Sequence, residues 1–330
     1  MTGTVAVIIT ARNAEATIGD AVQSALDEPE VAEVMVVDDA STDRTGVAAR
    51  TAAAGDKRLV VLRQEVNLGP AAARNLAIVR STAPCIAILD ADDYLLPGRF
   101  AQLLCHADWD IIADNIVFVP ESAPGRIDPQ TLPRVPGGSE ALDLEGFVRG
   151  NISHRAVKRG ELGFLKPVIR RSILPDGLVY DPALWLGEDY DLYVRLLLQG
   201  ARFRLTRHVG YAARVRANSL SGQHRTGDLH ALLGATSRHI AAADGFPAAQ
   251  AAMRRHQRQV RDRYLLRSFL DRKAAGGVGQ AVKSALSSPS SLWPIAGGIL
   301  SDKLAALLPK QPETLPPQRI LLPVQGPSAV

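Results

Sequence analysis

Residues 5–13 read VAVIITARN, and the fold is decided there. Val5, Ala6, Val7, Ile8 and Ile9 form an unbroken apolar run rich in β-branched residues. Such a run, with no polar alternation, is the signature of a strand buried on both faces. Outward from it, Ile18, Ala21, Val22, Ala25 and Leu26 share one helical face. Residues 34–37 predict a second strand, 43–54 a second helix and 59–62 a third strand. Pro70 opens a helix carrying Ala73, Leu76, Ala77 and Arg80, at the position where proline fits best. Residues 86–89 predict a fourth strand, Pro97 starts another helix, and 111–112 and 116–119 read as short strands. This alternation defines an α/β protein with a mostly parallel sheet flanked by helices.

Farther on, Pro120, Pro124, Pro129, Pro133 and Pro136 with Gly137 and Gly138 predict a loop over 120–139. A short helix over 140–149 and a weakly patterned basic stretch to Lys166 follow. Residues 188–199 predict a helix stopped by Gly200, and 202–206 and 211–215 predict strands. Residues 226–273 are helical in character. The pattern divides the chain into an α/β unit over 1–220, in two halves, 1–119 and 120–220. A helical extension over 221–287 and a Pro/Ser-rich tail over 288–330 would complete the chain.

The 330 residues are 46% apolar, enough for a sizeable core. The net charge of +4 comes from a basic second half set against an acid-rich first third. Aromatics are only 5%, and no stacking or helix-turn-helix signature is present, so nucleic acid is not an expected partner. A basic face suits anionic lipid or phosphate instead. Cys85 and Cys105 form no metal-binding pair and are expected as two reduced core thiols of a cytosolic protein. No signal peptide and no spanning helix are expected.

Ligands of open α/β sheets lie outside the carboxyl ends of the strands. Thr10-Ala11-Arg12-Asn13 follows strand one, DDASTD (38–43) follows strand two and DADD (90–93) follows strand four. Two of these clusters are acidic, and crowded carboxylates repel unless a cation sits between them. A divalent ion, Mg²⁺ or Mn²⁺, completed by substrate phosphates, is the usual solution. Plainer readings exist: an ordinary turn at 38–43 with Asp43 capping the next helix, a solvated strand end at 90–93, and a surface charge at Arg74. A calcium loop at 38–43 lacks the turn glycine and distal glutamate.

The phrases VIITARNAEATIGDAVQSAL, EVMVVDDASTDRT, NLGPAAARN and LDADD resemble the inverting nucleotide-sugar transferases of glycosyltransferase family 2, which have the GT-A fold. YDPALWLGEDYDLYVRLLLQG is similar to that family's acceptor-side ED motif. The chain looks most like the bacterial exopolysaccharide glucosyltransferases of the succinoglycan type. The resemblance implies that Thr10, Arg12 and Asn13 line the nucleotide pocket and that Asp39 meets the uracil edge, with Asp38 assisting or capping the turn. It implies that Asn67, Gly69 and Arg74 close over base and ribose, that Asp90 approaches the ribose, and that Asp92 holds the metal, with Asp93 sharing that duty. Family members usually carry glycine at position 40 and tyrosine at position 12, where this chain has Ala40 and Arg12.

Inverting transfer needs a carboxylate to deprotonate the acceptor hydroxyl. Glu188 and Asp189 open a helix whose amides favour an ionised carboxylate. By resemblance Asp189 is the base and Glu188 orients it or the acceptor. Asp191 is expected to face solvent or an arginine, and Trp185 either stacks on a sugar or joins the core. The basic run 166–171 either shapes the acceptor pocket or is a solvated face. Arg214, Arg216 and His224 follow the last strand, with Arg216 the better phosphate ligand and His224 a weaker candidate for the metal. The expected reaction moves a hexose, glucose from UDP-glucose, onto a lipid-linked oligosaccharide, with peripheral contact at the inner face of the membrane through residues 292–308. A nucleotidyltransferase would need a glycine-rich loop where Thr10 to Asn13 stand. The remaining alternative is a non-catalytic sugar-nucleotide-binding scaffold.

Overall fold

The computed structural model describes residues 4–121, 125–133, 138–153, 162–215, 224–287, 292–307 and 319–322. Strand β1 (Val5–Ala11) lies in the middle of the sheet, and its first five residues have no solvent exposure. It pairs in parallel with β2 (Val31–Asp39) on one side and β4 (Cys85–Asp90) on the other. Beyond β2 lies β3 (Leu59–Gln64), also parallel. Helices α1 (Ile18–Leu26), α2 (Thr45–Ala53) and α3 (Pro70–Arg80) make the crossovers. Ile18, Ala21, Val22 and Ala25, the face read from the sequence, are buried on one side of the sheet. The α3 residues Ala71, Ala73, Ala77 and Ile78 are buried on the other.

Past β4 the chain runs through β5 (Tyr94–Leu95), α4 (Arg99–Leu104) and β6 (Ile111–Pro120). Then come β7 (Ser139–Ala141), α5 (Leu144–Arg149), β8 (Val168–Arg170), α6 (Glu188–Leu198) and β9 (Phe203–Val215). The sheet order is β3-β2-β1-β4-β8-β6-β9-β5, with β7 on β9. The two short strands expected at 111–112 and 116–119 are one strand, β6, whose register slips around Asn115. The pair expected at 202–206 and 211–215 is likewise one strand. Within the basic run, Val168 to Arg170 form β8, inserted antiparallel between β4 and β6.

The last part of the chain is α7 (Thr226–Ala242), α8 (Pro247–Leu286) and α9 (Leu292–Leu307). Helix α8 breaks at Gly277, whose φ of 79° only glycine adopts easily. A final strand, β10 (Arg319–Ile320), pairs with β6 beyond the point where β8 leaves it. Asn115 secures it, donating to the Leu322 carbonyl and accepting from the Leu322 amide. Nothing in the tail's composition predicts this return to the sheet. Among the described residues no helix is long and apolar enough to cross a membrane.

One buried ion pair joins the two parts of the sheet. Arg99 of α4 makes two hydrogen bonds to Asp114 of β6, at 2.9 and 2.8 Å, and both side chains are essentially without solvent. A side chain on Gly210 of β9 would strike Asp114, so glycine leaves the room this pair occupies. Removing one partner strands the other charge in the interior. Asp114→Ala should therefore cost about 3–5 kcal/mol of stability, read from urea unfolding.

Candidate active site

The order β2-β1-β4 reverses chain direction across the sheet at β1, which opens a crevice at the carboxyl ends. Register places Thr10 beside Val37 and Asp90, and Ala11 beside Asp38, so the three polar clusters do meet on one edge. The first two loops are laced together. Asn13, in left-handed backbone at φ 50°, donates its amide to Ser41 and accepts from the Thr42 amide. Asp43 accepts from the Thr45 and Glu15 amides, as a helix-opening residue does. Arg12 points to solvent beside this lacing, and Thr10 is half-buried.

Asp38 binds Arg63 at 2.6 Å and the Ser41 amide at 2.9 Å. Asp39 is buried and uses both oxygens on the next loop, accepting from Leu68 N at 2.8 Å and Gly69 N at 2.9 Å. Asn67 also accepts from the Gly69 amide. Gly69 has φ 86°, and a Cβ there would lie 2.9 Å from the Trp185 indole. Trp185 thus packs on the donor-side loop while remaining 43% exposed.

At the end of β4 the three carboxylates divide. Asp93 turns inward: its oxygens accept from the Tyr211 hydroxyl at 2.7 Å and the Arg214 amide at 2.9 Å. Burial, with the charges of Asp90 and Asp92, pushes its carboxyl well above the usual range, and the hydrogen bonds from Tyr211 and Arg214 only partly oppose this. The same Tyr211 hydroxyl accepts the Asp90 amide. Asp92 is only half-buried at the edge. Among the described residues no three metal-type side chains converge. The oxygen chemistry of Asp92 suits Mg²⁺ or Mn²⁺ held by one carboxylate and completed by substrate phosphates.

The central feature is a cluster of opposite charges. Arg74 reaches Glu188 at 2.6 Å, Asp189 at 3.0 Å and Asp90 at 3.5 Å. Lys166 reaches Asp90 at 2.9 Å and Asp189 at 3.1 Å. Burial pushes the Asp90 carboxyl up, but Lys166 and Arg74 more than offset it and hold it low. Burial raises Glu188, and the Arg74 charge only partly opposes this. Arg74 also lies over the Tyr180 ring, and the neighbouring Asn75 makes two hydrogen bonds of 2.8 Å to the Tyr180 backbone. The NLGPAAARN and YDPALWLGED segments are thereby joined. The sequence pointed Arg74 at the base and ribose, whereas here its guanidinium faces the ED pair. Asp191 is buried rather than solvent-facing, paired with Arg195 and with His239 of α7 at 2.8 Å each.

A cavity of about 440 Å³ opens beside Asp189, walled by Leu229, Leu232 and Val260 of α7 and α8, with His224 on its lining. A larger hollow of about 690 Å³ near Phe203 and Phe246 contains none of these carboxylates, so the smaller one is the candidate site. Arg216 lies outside the described residues. Sequence reasoning missed Asn75 and Tyr211. It left Lys166 undecided between an acceptor-pocket wall and a solvated face.

The fold is that of the GT-A glycosyltransferases. The chain belongs to glycosyl transferase family 2: the family's profile matches residues 6–156, and two curated relatives extend over most of its length. Succinoglycan biosynthesis protein ExoU of Rhizobium meliloti is 52% identical over 92% of this chain and 89% of that protein. ExoO of the same organism is 32% identical over 86% and 82%. Among solved structures, S. aureus TarS 1–349 in complex with UDP-GlcNAc superposes with TM-score 0.58 at 20% identity, covering 83% of this chain and 74% of that one. The mannosyltransferase PcManGT from Pyrobaculum calidifontis, in complex with GDP-Man and Mn²⁺, gives 0.52 at 18%, covering 94% and 82%. The last two likenesses bear on fold alone.

Gly69→Ala should lower unfolding stability by about 1–3 kcal/mol, the cost of a strained backbone position. It should also change tryptophan emission as Trp185 is displaced.

Proposed function

We propose that this enzyme is an inverting glucosyltransferase that moves glucose from UDP-glucose onto a lipid-linked oligosaccharide in exopolysaccharide synthesis of the succinoglycan type. The observation that carries the reading is Asp189, buried beside a cavity and joined through Arg74 and Lys166 to Asp90 on the nucleotide edge. A carboxylate so placed can take the proton of an acceptor hydroxyl as that oxygen attacks the anomeric carbon. The bond from that carbon to the diphosphate oxygen breaks, and its electron pair leaves with UDP. Glu188 shares Arg74 with Asp189 and orients the acceptor. Thr10, Arg12, Asn13, Asp39, Asn67 and Gly69 form the nucleotide side, with Arg216 assigned to the diphosphate from sequence alone.

Asp92 would hold the metal, with Asp93 serving as an internal brace rather than a ligand. When bound, the divalent ion neutralises charge on the leaving diphosphate. ExoU and ExoO, both named for succinoglycan biosynthesis, support the pathway assignment.

A lipid-linked acceptor implies contact with a membrane surface. The end of α8 and the start of α9 support it: Val278, Val282 and Leu286 recur every fourth residue and are exposed, as is Trp293. Arg272, Lys273, Lys283 and Lys303 against Asp302 give this part of the chain a positive balance. An apolar face with basic flanks suits an anionic bilayer surface. Val282→Asp combined with Leu286→Asp should abolish cosedimentation with phosphatidylglycerol vesicles; unchanged sedimentation would remove the membrane assignment.

UDP release from UDP-glucose with Mn²⁺ tests the chemistry. Asp92→Ala should abolish it, and unchanged metal-dependent release would refute the metal assignment. Asp189→Asn should bind UDP normally while turnover falls by about 10²–10⁴, the usual share of a general base.

A further inference from the structure

We propose that Lys166 is a positioning residue for the base: its ammonium orients the Asp189 carboxylate and ties it to the donor edge through Asp90. This rests on the reading of Asp189 as base.

The backbone around Lys166 is anchored on both sides. The Tyr193 hydroxyl of α6 donates to the Leu165 carbonyl at 3.1 Å, and Arg99 donates to the Lys166 carbonyl while held by Asp114. Pro167 follows, and β8 begins at Val168. The lysine stem is buried, only 8% of the side chain being exposed, so its ammonium is delivered to one place. Burying a lone ammonium is costly unless it is paired. Here it is paired twice, with carboxylates that come from β4 and from α6.

Arg74 of α3 spans the same two elements, reaching Asp90 of β4 and both Glu188 and Asp189 of α6. Together the two cations stand among three carboxylates, Asp90, Glu188 and Asp189, which would otherwise repel one another. Burial draws the Lys166 ammonium toward neutrality, and Asp189 and Asp90 overcome this and hold it firmly protonated.

The test is a double-mutant cycle on UDP-glucose turnover with Mn²⁺, comparing Lys166→Met, Asp189→Asn and the combination. Lys166→Met should lower kcat roughly 100-fold, the scale of a misplaced catalytic group. UDP affinity should stay within about threefold, while Lys166→Arg restores part of the rate. The double variant should be no slower than Asp189→Asn. Losses that multiply, or a fall in UDP affinity as large as the fall in kcat, would overturn the role of Lys166 while leaving Asp189 as base. Normal turnover in Asp189→Asn would overturn the base itself. If Lys166→Met does not fold, Lys166→Gln carries the same comparison; if neither folds, the lysine is a folding requirement and the proposal fails.

Discussion

Three carboxylates and two cations packed with little solvent hold the site together. Asp90, Glu188 and Asp189 come from a strand end and a helix start far apart in the chain, and alone they would repel. Arg74 from α3 and Lys166 from the approach to β8 lie among them. Each is itself positioned by buried groups: Asn75 and Tyr180 beside Arg74, Tyr193 and the Arg99–Asp114 pair beside Lys166. The sheet, the ED helix and the donor loops thus share one electrostatic centre, and disturbing any contributor loosens the others.

That arrangement assigns different work to neighbouring acids. Asp93 braces β9 through Tyr211 and Arg214, and Asp39 braces the 68–69 loop, both from buried positions. Asp92 and Asp90 remain nearer solvent at the same edge.

The donor edge was legible because a doubly buried strand cannot be mistaken once helices alternate with it. The polar residues after β1, β2 and β4 then had to meet. What was illegible depended on long-range partners. DADD gives no hint that Asp93 turns inward, because Tyr211 lies 118 residues later. The run containing Lys166 reads either as a pocket wall or as a solvated face, since the three-residue strand β8 is too short to show a period. Asp191 reads as facing solvent or an arginine; Arg195 is that arginine, but its other partner, His239, sits on a different helix. β10 is two residues in a proline-rich tail, specified by Asn115 rather than by any local pattern.

With Asp189 as the proposed base, the acceptor oxygen displaces the diphosphate in one step and inverts the anomeric carbon. Proton NMR of the linkage newly formed from α-configured UDP-glucose tests this most directly. The proposed mechanism predicts a β-glucoside. An α-glucoside would contradict it, because a single displacement from the opposite face inverts the configuration.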